Sequence, residues 1–171
     1  MRQKNRFFPY VALLERSDAV VIPYLEGIYS TILLKVERYD IKGRQHLKTL
    51  GKYYLVDSGI RNMLLANSSS DLGHIIENIV YLELLRRGYK VNIGKLYEKE
   101  VDFVASDMNG ITYYQVAASV LDESTLKREL EPLQKIGDNY PKILLTLDDI
   151  GIGRNFAGIR HLNLIDWLQQ T

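Results

Sequence analysis

The stretch that decides the fold runs Lys99-Glu100-Val101-Asp102-Phe103-Val104-Ala105-Ser106-Asp107-Met108-Asn109-Gly110-Ile111-Thr112-Tyr113-Tyr114-Gln115-Val116-Ala117. Branched and aromatic residues fill Val101 to Ala105 and again Thr112 to Ala118, and Met108-Asn109-Gly110 between them is turn chemistry. Two strands joined by a tight turn follow. Period-two geometry puts Glu100 and Asp102 on one side of the first strand. Gln115 lies in the middle of the second, so its amide and the Asp102 carboxylate are expected to converge.

Upstream, Tyr89 to Ile93 reads as a further strand, and before it Leu72 to Arg87 reads as a helix closed by Gly88 and capped by Ser70 or Asp71. Its apolar positions, Ile75, Ile76, Ile79, Val80, Leu82, Leu84 and Leu85, cover more than one face, which predicts burial. Glu77 sits inside this helix, where a charge is costly unless it is paired, hydrogen-bonded or bound to a metal. Downstream come a helix from Glu123 to Ile136, a strand from Lys142 to Leu147 and a last strand from Ile159 to Leu164. The order α-β-β-β-α-β, with one more β, predicts an α/β domain with a mixed sheet from about Tyr53 to Trp167. Tyr53-Tyr54-Leu55-Val56 reads as a short strand, and Asp57-Ser58 as the cap of a brief helix to about Ala66.

The beginning has another texture. Behind Pro23, Leu25, Ile28, Tyr29, Ile32, Leu33 and Val36 recur at helical spacing and predict an amphipathic helix, with Ile41-Lys42-Gly43 as a turn. Residues 1–44 are thus expected as a helical N-terminal segment and 45–171 as the main domain. That stripe of large side chains would gain from burial, and a homodimer through these six residues is expected.

Composition narrows the chemistry. The 171 residues include no cysteine, which excludes disulfides, thiolate nucleophiles and cysteine-ligated metals and fits a cytoplasmic protein. A net charge of +1 gives no global field for nucleic acid or an anionic membrane. The basic start, Met1 to Phe8, lacks the apolar run of a signal peptide, and no apolar stretch approaches bilayer length, so no membrane association is expected. There is no phosphate-binding P-loop and no G-x-S-x-G elbow, and His46, His74 and His161 lack metal-ligand spacing. Glu77, Asp102 and Gln115 remain: two carboxylates and an amide oxygen, hard ligands of the kind magnesium accepts, or else ordinary polar groups of a buried network and a strand edge.

Six segments occur together in order: Gly73 to Asn78, Glu83 to Tyr89, Glu100 to Val104, Tyr114 to Val116, Asn139 to Lys142 and His161 to Asp166. From about Tyr39 to Leu168 the chain resembles the restriction-endonuclease-like, PD-(D/E)XK-like domain of unknown function found at the C-terminus of prokaryotic AAA-type ATPases. Phe8 to Val11 and Tyr24 to Tyr29 resemble the region just after the ATPase core of those proteins. The resemblance implies a shortened relative without that core and with an internal deletion, and an ATPase acting in trans as one partner.

It further implies that Glu77, Asp102 and Gln115 fill the three magnesium-ligand places, for a weakly held ion, and that Ala117 stands at the catalytic lysine position. A methyl group supplies neither charge nor a proton relay, and losing such stabilisation costs on the order of a hundredfold in rate. Three readings stand open. One is a catalytically silent nuclease-like module that binds a partner, with nucleic acid met by Lys90, Lys95, Lys99, Lys127 and Arg128 gathered on one face. Another is a weak magnesium-dependent nuclease with relocated machinery, for instance through Lys127. The third is a folded remnant without specific activity.

Overall fold

The computed structural model describes residues 33–56 and 72–170. In chain order these form strands β1 (Leu33–Asp40) and β2 (Gln45–Leu55), helix α1 (Leu72–Arg86) and strands β3 (Lys90–Leu96), β4 (Lys99–Asp107) and β5 (Gly110–Val116). Helix α2 (Glu123–Gln134), strands β6 (Lys142–Thr146), β7 (Asn155–Phe156) and β8 (Ile159–Asn163) and helix α3 (Leu164–Gln169) complete them. The strands make one sheet in the order β2-β1-β3-β4-β5-β6-β8-β7. It is mixed: β1 runs parallel to β3, β5 to β6 and β6 to β8, and the remaining neighbours are antiparallel. The fold is α/β.

Neighbouring residues of one strand point into different cores, as the pleat requires. Tyr114, Val116, Ile143 and Leu145 join a cluster with Ile76, Val80 and Leu84 of α1 and Leu164 and Trp167 of α3. Tyr113, Ala117 and Leu144 join another with Leu130 and Leu133 of α2. Helices α1 and α3 therefore cover one face of the sheet and α2 the other.

Local chemistry sets the ends of these elements. Gly88, at a φ of 84°, stops α1, and the Gly88 and Tyr89 N–H groups donate to the Leu85 and Leu84 carbonyls. Asp122 caps α2 by accepting from the Thr125 N–H at 2.9 Å. Asp107 shapes the β4–β5 turn by accepting from the backbone of Asn109 and Gly110 at 2.8 and 3.1 Å.

The helix expected to reach Val36 is corrected. Leu33 and Val36 lie in β1, and Val36 is buried in the α1-side core at 2 % exposure, so neither belongs to an exposed helical stripe. Residues 33–40 pair with both β2 and β3, inside the same sheet as the rest. A short apolar run offers helix and strand periods at once, and β2 provides the ladder for Leu33 to Val36, with β3 joining from Arg38 on. Leu25, Ile28, Tyr29 and Ile32, and the brief helix expected after Asp57, lie outside the described residues. Ile41-Lys42-Gly43 is a turn, as expected.

Two irregularities place the polar centre. Asn92 pairs with Val104 and Gly94 with Val101, so Ile93 alone opposes Asp102 and Phe103. This bulge re-aims the Asp102 side chain, a common device beside functional groups. Between β1 and β2, Val36 pairs with Lys52 while Arg38 already pairs with Leu47. Gly51 sits in that irregularity, and a Cβ there would lie 2.1 Å from the Val36 carbonyl oxygen, so only glycine fits.

Candidate functional site

The site begins with Glu77, turned by α1 toward the sheet. Tyr54 of β2 stacks on Tyr81 of α1, ring centroids 4.4 Å apart, and packs at a tilt on Phe103. These contacts aim the Tyr54 hydroxyl at Glu77 Oε1, to which it donates. Lys52, two residues earlier on the same face of β2, donates from Nζ to the same oxygen at 3.0 Å. The other side of its ammonium meets Glu100 Oε1 at 2.6 Å, and Arg38 pairs with Glu100 Oε2 at 3.1 Å. Asn78 beside Glu77 binds the edge strand: its Oδ1 accepts from the Leu55 N–H at 2.8 Å and its Nδ2 donates to the Leu55 carbonyl at 2.9 Å.

These contacts set the charges. Burial alone would push Glu77 up, but His74, the Lys52 ammonium and the Tyr54 hydroxyl outweigh it and hold the carboxyl at about 2. Burial likewise opposes the charge of Lys52, yet Glu77, Glu100 and Asp102 together raise its pKa. Asp102 is different. Burial and then the negative charge of Glu77 push it well above the usual carboxylate range, although the Lys52 charge and the Val116 N–H, which donates to Oδ2 at 2.8 Å, act the other way.

Gln115 sits between Tyr113 and Ala117 in register and shares their α2 side. Its Oε1 accepts from the Asp102 N–H at 3.4 Å and its Nε2 donates to Glu129 of α2 at 2.9 Å. The structure thus couples Glu77 to Asp102 by charge and Asp102 to Gln115 by hydrogen bonding, with Glu77 on the α1 side of the sheet and Gln115 on the α2 side. Ala117 is buried in the α2-side core, its N–H donating to the Leu145 carbonyl at 3.0 Å.

Magnesium, which the sequence resemblance implies, does not fit these groups as they stand. One Glu77 oxygen already serves Lys52 and Tyr54, one Asp102 oxygen serves Val116, and the Gln115 oxygen serves Asp102. Among the described residues, no three His, Asp or Glu side chains are grouped to hold a metal. The positive charge between Glu77 and Glu100 is the Lys52 ammonium, with Arg38 on the other Glu100 oxygen.

Sequence reading missed Lys52, Tyr54 and Arg38. The available signal was Glu77 itself: an acid inside an apolar helix demands a cation. Lys127, the expected relocated lysine, instead pairs with Glu123 of its own helix at 2.9 Å, with both side chains exposed.

The five basic residues expected on one nucleic-acid face are mostly engaged with acids. Lys99 pairs with Glu131, Lys127 with Glu123 and Arg128 with Glu129. Lys90 and Lys95, at opposite ends of β3, pair with no acidic side chain among the described residues. Lys95 opens onto a hollow of about 400 Å³ between the β1–β2 and β3–β4 turns, lined also by Asp40, Lys42, Gly43, Leu47 and Tyr97.

Another polar group, at the ends of β6 and β8, is internally satisfied. His161 lies between the Thr146 hydroxyl at 2.8 Å and the Gly151 carbonyl at 3.2 Å. Asp148 accepts from the Val120 N–H, and Asn163 donates to the Asp148 carbonyl while capping α3. These bonds tie the strand ends to the following loops.

The chain is similar to two curated proteins of uncharacterized function. It is 38 % identical over 160 residues to one from Haemophilus influenzae, covering 90 % of this chain and 38 % of that protein. It is 32 % identical over 139 residues to one from Methanocaldococcus jannaschii, covering 76 % of this chain and 30 % of that protein. The chain thus spans less than two fifths of either relative. No protein-family model and no solved structure matches it. Among the described residues, no helix is long and apolar enough to cross a membrane.

Proposed function

We propose that this chain is a catalytically silent, nuclease-like accessory module whose work is binding. The observation that carries this reading is Lys52. Its ammonium bridges Glu77 and Glu100 and fills the acidic centre where a nuclease would place its metal. Ala117, at the position the resemblance gives to the catalytic lysine, adds to it, because a buried methyl can neither stabilise a phosphate nor relay a proton. The α1-β3-β4-β5-α2-β6 order and the Asp102 bulge support the nuclease-like comparison.

The test is cleavage and metal binding together. Labelled single- and double-stranded DNA incubated with magnesium or manganese should remain intact, and titration calorimetry should show at most millimolar affinity for either ion, on the order of −4 kcal/mol.

One observation favours a second reading, a weak magnesium-dependent nuclease: Lys52 restores near the acids the positive charge that Ala117 lacks. Cutting by the unaltered protein, lost in both Asp102→Ala and Lys52→Met, would establish that reading and remove the first.

A further inference from the structure

The hollow beside Lys95 is built at a cost that its structural role does not explain. Leu96 pairs with Lys99, leaving Tyr97 and Glu98 as a two-residue hairpin loop. The first loop position of such a turn needs a positive φ, which asparagine, aspartate or glycine adopts readily. Here it is Tyr97, at a φ of 53°, with its aromatic side chain left 61 % exposed. A bulky residue in the left-handed region is strained, and an exposed ring forgoes the burial that normally justifies an aromatic. Strain of this kind concentrates at sites of function.

The surroundings say what the ring could meet. Lys42 Nζ stands 4.8 Å from the Tyr97 centroid, covering part of the ring with a cation. Lys95 lines the same hollow. Arg44, exposed in the facing turn, is also held at positive φ, 50°. Asp40 is turned inward on its own loop: it accepts from the Lys42 N–H at 3.1 Å, and a Cβ on Gly43 would lie 2.5 Å from its Oδ2. The hollow's volume, about 400 Å³, falls within the range of roughly 300–1,000 Å³ usual for ligand sites. An aromatic face beside several cations is the combination that holds single-stranded nucleic acid: a base stacks on the ring and phosphates meet the lysines.

We infer that the hollow between the β1–β2 and β3–β4 turns binds single-stranded nucleic acid, with a base stacked on Tyr97 and the backbone held by Lys42, Lys95 and Arg44. This deepens the proposal that the module binds and does not cut, and rests on it. Within a duplex the bases are paired and stacked on both faces and offer this ring less.

The experiment is fluorescence anisotropy of a labelled 12-nucleotide DNA strand with the whole protein, in chelator, across a salt series. A duplex of the same sequence is the comparison. Tyr97→Asn relieves the turn, so its thermal stability should equal or exceed that of the unaltered protein. Its affinity for the single strand should nevertheless fall about tenfold or more. Lys42→Ala and Lys95→Ala should each flatten the plot of log affinity against log salt by roughly 0.7, and Lys127→Ala should leave it unchanged. A Tyr97→Asn protein that binds the single strand as tightly as the unaltered one overturns the inference. So does equal preference for duplex, or no binding at low salt. Repeating the series with magnesium separates the two proposals: cleavage of the strand removes the binding-only reading, whereas loss of Tyr97 dependence removes this one alone.

Discussion

Glu77 offers the sharpest test of the polar centre, through the acid dependence of stability. In the folded protein its carboxyl is held at about 2, against an ordinary value of 4.5. At about 1.4 kcal/mol for each tenfold change, that difference stabilises the fold by at most about 3.5 kcal/mol at neutral pH. Because the folded value lies below the unfolded one, the contribution is complete above about pH 4.5 and is lost as pH falls toward 2. Asp102 acts with the opposite sign. Its folded value is raised, so its contribution to stability grows as pH falls from that raised value toward the ordinary carboxylate range. Glu77→Gln removes the first effect and with it the charge that raises Asp102, while Glu83 and Glu131, both also held near 2, titrate alike in the two proteins. Urea unfolding followed by fluorescence of Trp167, the sole tryptophan and a buried one, gives the stabilities. We expect the variant to be less stable near pH 7 by up to about 3.5 kcal/mol, with the gap narrowed to about 1 kcal/mol at about pH 2.5 and closing below about pH 2. A gap of the same size at both pH values would show that Lys52, Tyr54 and His74 do not hold Glu77 ionised.

The two backbone devices beside the site give further expectations. Asn78→Ala removes both bonds to Leu55 and should cost about 2 kcal/mol, read by the same urea assay; an unchanged midpoint would mean that water replaces the side chain fully. Gly51→Ala drives a methyl into the Val36 carbonyl and should cost at least about 2 kcal/mol, whereas Gly137→Ala, with no atom near its added Cβ, should change stability little. Equal effects from the two would contradict the close approach of β1 and β2.

What the sequence disclosed, it disclosed through local periodicity. Ile76, Val80 and Leu84 repeat at four-residue spacing, and α1 is where they place it. The β4–β5 hairpin follows from its alternation and its Asn109-Gly110 turn. Reading β1 as helix had a physical cause. Leu33 and Val36 continue the three- and four-residue spacing of the preceding chain, and it is pairing with Leu55 and Lys52 of β2, about twenty residues later, that makes the segment extended. Glu77 and Asp102 were visible as unusual acids, but their partner was not. Lys52 precedes Tyr53-Tyr54 as an ordinary strand-edge cation would, and its role depends on α1 crossing β2. Nor does sequence pattern reveal a bulge, so the turn of Asp102 away from simple alternation was hidden.

The α1-side core has a consequence for the order in which the chain assembles. It joins Val36 of β1 to Leu164 and Trp167 of α3, and Arg87 stacks over the Trp167 ring at 4.2 Å while donating to the Trp167 and Gln170 carbonyls. During synthesis from the N-terminus, β1 to β5 emerge together with α1, but the apolar face of α1 stays incomplete until Trp167 has left the ribosome. Until then Tyr114, whose ring packs at a tilt on Trp167, lacks that cover, a state open to wrong contacts and to chaperones.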